Sequence, residues 1–454
     1  MRRRTRDRDL GGTRFRLFAQ APFLRPDDPP DIVQVSAPPG SLAPGPADER
    51  MFVIDPIGKQ RPYGFFTDAR GQRGLYLPPW DGPVRPPVEP SADGHFDHIE
   101  PDAPGFEVVH AFGAVHFVQD IWESYFGRPI SWHFGGLQDP LEIVHYPHFD
   151  NAHAGYGFLE LGADFMEDGE VRPFSLDFDI IAHEVGHLII YSVIGIPHPE
   201  TEEGEYFGFH ESAADLVTLL SVLHFESVVD RLLNQSRGNL YTYNELNRFA
   251  ELSENTQIRL ASNSVKLSEF ADGWKKEHQL SEPLTGAMFD IFVDIFHESL
   301  LDRRLISPEV EDLADQLQRR PDYADAIQVF FDEAYPRDPA GFKIALLEAR
   351  DYLGTALART WERLSPHYLN YDDVGAALLE VDRELTGGRY RRLIVNNFRW
   401  REIGDVTVGP RLSPPDSESH AFSDRTATPQ TRPRRRRRSY NQRWRSARRS
   451  LLSG

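Results

Sequence analysis

One apolar stretch, residues 177–195 with the sequence DFDIIAHEVGHLIIYSVIG, constrains this chain more than any other. It is hydrophobic on nearly every side, which is typical of a buried helix, yet it carries His183, Glu184 and His187. Burying these polar side chains is costly unless something binds them. On a helix, residues four apart lie one above the other, so the two histidines can face one metal ion. The stretch therefore predicts a zinc-binding helix.

Glu184 stands one position after the first histidine. At 3.6 residues per turn it points about 100° further round the helix, beside an ion held by the two imidazoles. This is where a base is needed to take a proton from metal-bound water. The alternative is a buried helix whose histidines bond to backbone carbonyls, because so short a pattern also arises by chance.

The absence of cysteine decides which further ligands are available. Without thiolates, the 454-residue chain has no disulfide framework, and a zinc ion must be held by histidine and carboxylate. A second helix is predicted to open near Gly208, and it carries Glu211 and Asp215 on one face. Glu211 would complete a His₂Glu ligand set, and Asp215 would accept the second ring N–H of a liganding histidine. His210 is an alternative third ligand.

Charge is distributed unevenly along the chain. The formal net charge is −20, but residues 425–454 contain eleven arginines and no acidic residue, so the body of the chain is strongly acidic. The Arg-rich end could contact nucleic acid, an anionic membrane or the acidic body, or be a solvated disordered end. No apolar run is long enough for a transmembrane segment and no secretory signal is evident, which favours a cytoplasmic location.

Periodicity and composition predict an α+β protein of two lobes. We expect a long helix over 105–126, strands over 141–146 and 154–161, and a small β-meander over 51–76. Helix start and stop signals predict further helices over roughly 283–302, 307–319, 321–334, 339–363 and 372–386. The predicted organisation is a disordered Arg/Pro-rich arm (1–48), a β-containing lobe ending in the zinc helix (49–196), a helical lobe with the third ligand (197–400) and a disordered Arg-rich tail (401–454).

Several segments together resemble the thermolysin-like zinc metallopeptidases of the gluzincin group. The resemblance runs from about Gly105 to Phe292. It rests on the helix ending in Phe-Gly-Arg at 126–128, on the Asn-Ala pair within 144–152, and on the approach to the zinc helix at 174–182. It also rests on Glu-x-x-x-Asp at 211–215 and on His-x-x-Ser at 278–281. The resemblance implies a mixed amino-terminal lobe and an all-helical carboxy-terminal lobe with the zinc helix between them.

The resemblance also implies roles for individual residues. Asn151 and the carbonyl of Ala152 would hold the substrate backbone, and His278 would donate a hydrogen bond to the oxyanion. Asp272 would orient that histidine, with Glu277 as its rival. The family also has a tyrosine between the zinc helix and the ligand helix, for which the candidates here are Tyr206 and Tyr191. It has an arginine that contacts the substrate carbonyl, for which the candidates are Arg248 and Arg259. Glu282 stands where the family has glycine.

Motifs of two other classes of zinc peptidase are missing from the sequence. The glycine and histidine that metzincins require after the second histidine are replaced by Ile190 and Val193, and the Gly-x-Met-Glu-Asn motif of gluzincin aminopeptidases is absent. The sequence therefore predicts a zinc endopeptidase acting on peptides or proteins. The alternative is an inactive zinc-stabilised scaffold that binds nucleic acid or an anionic surface through its tail. Ca²⁺ could bind the acidic clusters Asp164/Glu167/Asp168 and Glu202/Glu203/Glu205.

Overall fold

The computed structural model describes residues 11–68, 71–136, 140–240, 248–249, 259–261, 263–310 and 323–412. The chain divides into two compact units. The first comprises Met1–Tyr63, Leu77–Ile121 and Phe134–Val185, and the second comprises Gly64–Tyr76, Trp122–His133 and Gly186–Gly454. The boundary thus falls inside the helix that carries the histidines, and not near residue 196 as the sequence suggested.

The described residues form helices and small sheets, a mixed content compatible with the α+β class. The strands are β1 (Thr13–Leu17), β2 (Asp31–Val35), β3 (Met51–Ile54), β4 (Gly64–Thr67), β5 (Arg73–Tyr76), β6 (Leu141–His145), β7 (Ala152–Ala154), β8 (Phe158–Leu161), β9 (Ala163–Phe165), β10 (Val171–Pro173), β11 (Arg248–Phe249) and β12 (Arg259–Leu260). The helices are α1 (Phe106–Phe126), α2 (Phe178–Val193), α3 (Gly204–Val222), α4 (Glu226–Ser236), α5 (Glu277–Asp302), α6 (Tyr323–Ala334), α7 (Pro339–Trp361), α8 (Tyr371–Thr386) and α9 (Arg391–Trp400).

The amino-terminal segment differs from the sequence prediction. Residues 1–48 were expected to be disordered, yet β1 and β2 pair antiparallel within them. The buried side chains Phe15 and Leu17 alternate with more exposed ones along β1, and Phe15 stacks on Phe96 with ring centroids 5.3 Å apart. The prediction of disorder is therefore wrong for these strands, because this short alternating run gains its stability from a partner 81 residues away in sequence.

A four-stranded sheet forms the centre of the first unit. Its strand order is β3-β6-β8-β7, in which β3, β6 and β8 are parallel and β7 is antiparallel to β8 at the end of the sheet. The inner strands carry two buried carboxylates. Glu160 lies 3.1 Å from the Lys59 ammonium, and Glu142 accepts a hydrogen bond from the Tyr63 hydroxyl at 3.0 Å, so both acids have polar partners.

The predicted meander over 51–76 is not a single sheet. β3 pairs in parallel with β6, whereas β4 and β5 pair with each other as an antiparallel hairpin. Local alternation predicts that a run is extended but not which strand it pairs with, since pairing in a parallel sheet depends on distant segments.

Helix α1 confirms the prediction over 105–126 and contains a fully buried histidine, His110. Its Nε2 accepts a hydrogen bond from the backbone N–H of Phe18 at 3.0 Å, and its Nδ1 lies 2.7 Å from the carbonyl of Ser175. Burial lowers the pKa of His110 to about 4. The residue is therefore a neutral polar link in the core of the first unit.

The second unit is mostly helical, as expected. Helices α3, α6, α7 and α8 lie where helix start and stop signals predicted them, while the short helices α4 and α9 were not predicted. Helix α5 begins six residues before the predicted start at 283, because Pro283 lies inside the helix instead of at its beginning. The helix predicted over 307–319 falls mainly on residues outside the described ones. Among the described residues, none of the helices is both long and apolar enough to cross a membrane.

We predict that mild acid destabilises the fold through buried histidines. Burial lowers the pKa of His110 to about 4 and that of His297 to about 3, from an ordinary value of 6.5. Between pH 6.5 and 4 the unfolded chain binds protons that the folded chain does not, so stability falls as the pH falls. For His110 the loss approaches about 3 kcal/mol.

Urea unfolding at a series of pH values measures this slope. The His110→Gln variant, which cannot take up a proton at that position, should be less stable at neutral pH but should lose less stability between pH 6.5 and 4. If the free energy of unfolding fell equally with pH in the two proteins, His110 would not be a source of the acid sensitivity.

Candidate metal centre

Helix α2 positions the two histidines and the glutamate between them. It begins after Asp177, whose carboxylate accepts the backbone N–H of Ile180 at 3.1 Å and so caps the helix. Burial raises the pKa of Asp177 to about 6. His183, Glu184 and His187 are all buried in this helix, with exposed fractions of 5%, 7% and 1%. The helix predicted from the sequence is confirmed, and its polar side chains lie away from bulk water.

Helix α3 passes very close to α2 at Gly186. A Cβ atom on Gly186 would lie 2.7 Å from the Cα of Ala214, a separation that real side chains do not reach. Glycine is therefore required for the two helices to approach this closely. The approach brings His187 next to Glu211, with 3.8 Å between His187 Nε2 and Glu211 Oε1.

Three predicted ligands come together. His183, His187 and Glu211 each offer one ligand atom, and these atoms all lie within 4.8 Å of one another. In the described part of the chain this is the one group of three or more His, Asp or Glu side chains that could hold a metal ion. Two imidazoles and one carboxylate form a donor set that suits zinc and leaves a further coordination position for water or substrate.

His210, the alternative third ligand, contacts the back of His187. The two Nδ1 atoms are 2.7 Å apart, and the rings stack with centroids 4.8 Å apart. If His187 presents Nε2 to an ion, its Nδ1 carries the proton and donates it to His210. His210 thus gives His187 an orienting contact of the kind that the sequence predicted from Asp215. Asp215 itself is buried one turn further along α3, and its contact with a liganding histidine stays a prediction.

The two tyrosines considered from the sequence both lie against His210. The ring centroid of Tyr191 is 4.2 Å from that of His210, and the centroid of Tyr206 is 5.7 Å away. The hydroxyl of Tyr206 donates to the carbonyl of Gly195. Both tyrosine rings thus pack around the pair formed by His187 and His210. The one sequence signal that pointed to His210 was its position next to Glu211.

His278 contacts Glu211 from the first turn of α5. Its Nδ1 lies 2.7 Å from Oε2 of Glu211, whereas His187 lies nearer to the other carboxylate oxygen, Oε1. A donor role toward a substrate would therefore fall to Nε2. Asp272, predicted to orient this histidine, is exposed in the turn before α5, and Glu277 pairs instead with Arg411 at 3.0 Å.

Glu184 contributes a buried carboxylate oxygen that lacks a hydrogen bond within the described part of the chain. Its Oε2 atom is buried and has no hydrogen-bond partner among the described residues. A buried carboxylate oxygen without a partner costs free energy, so such an atom marks a place where a water molecule, an ion or a substrate group fits. This is the property expected of a base beside the ligands.

Asn151 and Ala152 lie at the start of β7, the end strand of the sheet in the first unit. The side-chain oxygen of Asn151 accepts the backbone N–H of Ala152 at 2.9 Å. That oxygen is therefore already used within the chain, and the amide nitrogen is the atom of Asn151 that could bind a peptide carbonyl.

The remaining predicted sites are the two acidic clusters, the candidate arginines and the Arg-rich tail. Among the described residues neither acidic cluster brings three carboxylates together, and Glu205 accepts the backbone N–H of Tyr371. The pKa of Glu282 is raised by burial and by the carboxylates of Glu269 and Asp215. Arg248 and Arg259 lie in β11 and β12, but their side chains fall outside the described atoms, as do residues 413–454 of the Arg-rich tail.

The chain was compared with protein-family models and with curated proteins, and neither comparison finds a match.

We predict that Gly186→Ala weakens metal binding. The added methyl group must push α3 away from α2, which should cost about 1–3 kcal/mol of stability and lower zinc affinity about 10-fold or more. Zinc affinity is measured by competition with a chromophoric chelator. Gly354→Ala is the matched control, because its Cβ would meet the Tyr125 ring at 2.4 Å in a different helix pair. It should cost stability yet leave zinc affinity unchanged, and equal affinities in all three proteins would refute the prediction.

Proposed function

We propose that this chain is a zinc-dependent endopeptidase with a thermolysin-like arrangement of its catalytic groups. The observation that carries the proposal is the convergence of His183, His187 and Glu211, with ligand atoms within 4.8 Å, beside the unpartnered buried oxygen of Glu184. A structural zinc site needs the ligands alone. A hydrolytic site also needs a base next to them.

Zinc fits the donor set better than a hard cation does. Neutral imidazole nitrogens suit zinc, whereas calcium and magnesium take oxygen ligands almost exclusively. When bound, zinc would lower the pKa of a coordinated water toward ~7 and polarise a carbonyl group. His210 would hold His187 in the tautomer that presents Nε2, and His278 would hold the outer oxygen of Glu211.

Glu184 is the base of the proposed reaction. It accepts a proton from the water that attacks the peptide carbonyl and delivers that proton to the nitrogen of the leaving amine. Its burial keeps bulk water from competing for the carboxylate. His278, through Nε2, is the candidate donor to the oxygen on which negative charge develops.

Strand β7 suits an extended peptide. It lies at the end of the four-stranded sheet, where its register pairs Ala152 with Leu161 and Ala154 with Leu159. Among the described strands, β8 is its one partner. A peptide in extended conformation can add to such an edge through backbone hydrogen bonds, whatever its sequence. Binding of backbone at this edge favours cleavage within a chain and gives Asn151 and Ala152 their proposed role.

The substitution Glu184→Gln tests the base. Zinc should remain bound at one equivalent, because glutamine leaves the three ligands intact, while hydrolysis of a quenched peptide should fall at least ~10²-fold. Glu384→Gln, which changes an exposed carboxylate on α8 paired with Arg363, is the control and should keep full activity. Undiminished hydrolysis by Glu184→Gln would rule out the mechanism. A wild-type chain that binds zinc but cleaves neither casein nor peptide would favour the scaffold alternative.

Metal analysis distinguishes the third ligand from its neighbour. Glu211→Ala should lose stoichiometric zinc, since two imidazoles alone hold it weakly, whereas His210→Ala should lower affinity about 10- to 100-fold and keep the site. The reverse order, with His210→Ala losing the metal, would mean that the histidine is the ligand.

A further inference from the structure

The last described residues of the chain run alongside the start of α5. We name residues 408–412 the C-terminal strap. Within it, Gly409 donates a hydrogen bond to the carbonyl of Phe270, and Leu412 donates to that of Trp274 at 2.7 Å. A Cβ on Gly409 would lie 2.4 Å from the carbonyl oxygen of Ala271, so the strap depends on glycine for its close contact.

Arg411 is the side chain through which the strap contacts its surroundings. Its Nη1 lies 3.0 Å from Glu277 Oε1, and both side chains are largely buried, with exposed fractions of 17% and 6%. Its guanidinium lies over the ring of Trp274, 4.5 Å from the centroid, and is 5.9 Å from that of Phe207. One cation thus binds the first residue of α5 and a side chain of α3.

Both contacts lie next to residues of the candidate site. Glu277 immediately precedes His278 in the first turn of α5, and Phe207 stands one turn before Glu211 on α3. The first turn of a helix lacks half of its backbone hydrogen bonds and frays easily. The N-cap residue of α5, Lys276, makes no side-chain capping bond. The ion pair between Arg411 and Glu277 is therefore one of the contacts that hold this turn in place.

We propose that Arg411 is a positioning residue that holds His278 against Glu211. The proposal rests on the proposed peptidase function, because it assigns Arg411 to the alignment of that site. In this arrangement the strap fixes the first turn of α5 relative to α3, which keeps the 2.7 Å contact between His278 Nδ1 and Glu211 Oε2. Without Arg411, the buried carboxylate of Glu277 loses its cation and the turn loses its anchor.

A kinetic double-mutant cycle in the zinc-loaded full-length protein tests the coupling. Arg411→Ala should lower kcat about 10- to 100-fold with little change in KM, and Arg411→Lys should recover part of the loss because it keeps the charge. In a His278→Ala background, Arg411→Ala should cost nothing more. Arg363→Ala removes a different ion pair, with Glu384, and should leave kcat unchanged.

A second readout does not depend on activity. Side-chain ¹⁵N spectra of histidine-labelled protein, with His278→Gln to assign the signal, should show the His278 resonances shifted in Arg411→Ala and unmoved in Arg363→Ala. Should Arg411→Ala fail to fold, Glu277→Gln removes the same ion pair with little change of shape and should behave in the same way.

The outcomes separate the two proposals. Additive losses of kcat, or an unmoved His278 signal in a folded variant, would overturn the role of Arg411. A lower melting temperature with unchanged kcat and unmoved resonances would also overturn it. A wild-type protein without peptidase activity whose His278 signal still shifts in Arg411→Ala would remove the peptidase proposal and leave the positioning role in place.

Discussion

The close approach of α2 and α3 at Gly186 is the contact on which the site depends. Helices with ordinary side chains at their contact are 8–10 Å apart, and the missing Cβ of Gly186 lets the backbone of Ala214 come closer. His187 follows that glycine by one residue, and Glu211 precedes Ala214 by three. Their side chains meet because the backbones nearly touch. A larger residue at this crossing would separate a donor set that is otherwise intact.

The close approach has an energetic consequence. It places two imidazoles and two carboxylates, those of Glu184 and Glu211, in a region with little access to water. The protein offsets part of this cost with further polar contacts, from His210 to His187 and from His278 to Glu211. A divalent cation bound by His183, His187 and Glu211 would offset more of it.

How far the sequence could predict the site depends on the range of each interaction. The spacing of His183 and His187 is a property of one helix, so their common face was predictable. Glu211 was predictable as a buried carboxylate on a second amphipathic helix. The sequence of α3 could not show that His210 contacts Nδ1 of His187. Adjacent residues of a helix point about 100° apart, and only the crossing of α2 and α3 decides which side chains of α3 face α2.

The fold shows the same division. Alternation within the segments of β6 and β8 predicts strands, and helical periodicity predicts α1 and α3. The pairing of β3 with β6 and the order of a segment expected to be disordered required partners about 80 to 90 residues away. Asp272 was the orienting acid implied by the family resemblance, yet it is exposed, and its rival Glu277 forms an ion pair with Arg411.

By itself the sequence determined which chemistry is available: a cysteine-free chain, two histidines one turn apart on a buried helix, and an acid beside them. Those features follow from residue type and helical spacing, which are local. The tertiary structure alone decided which histidine contacts Nδ1 of His187 and which arginine pairs with Glu277 at the start of α5. Those choices depend on where helices distant in sequence cross, and the crossing is set by packing at residues such as Gly186 that carry no chemistry of their own.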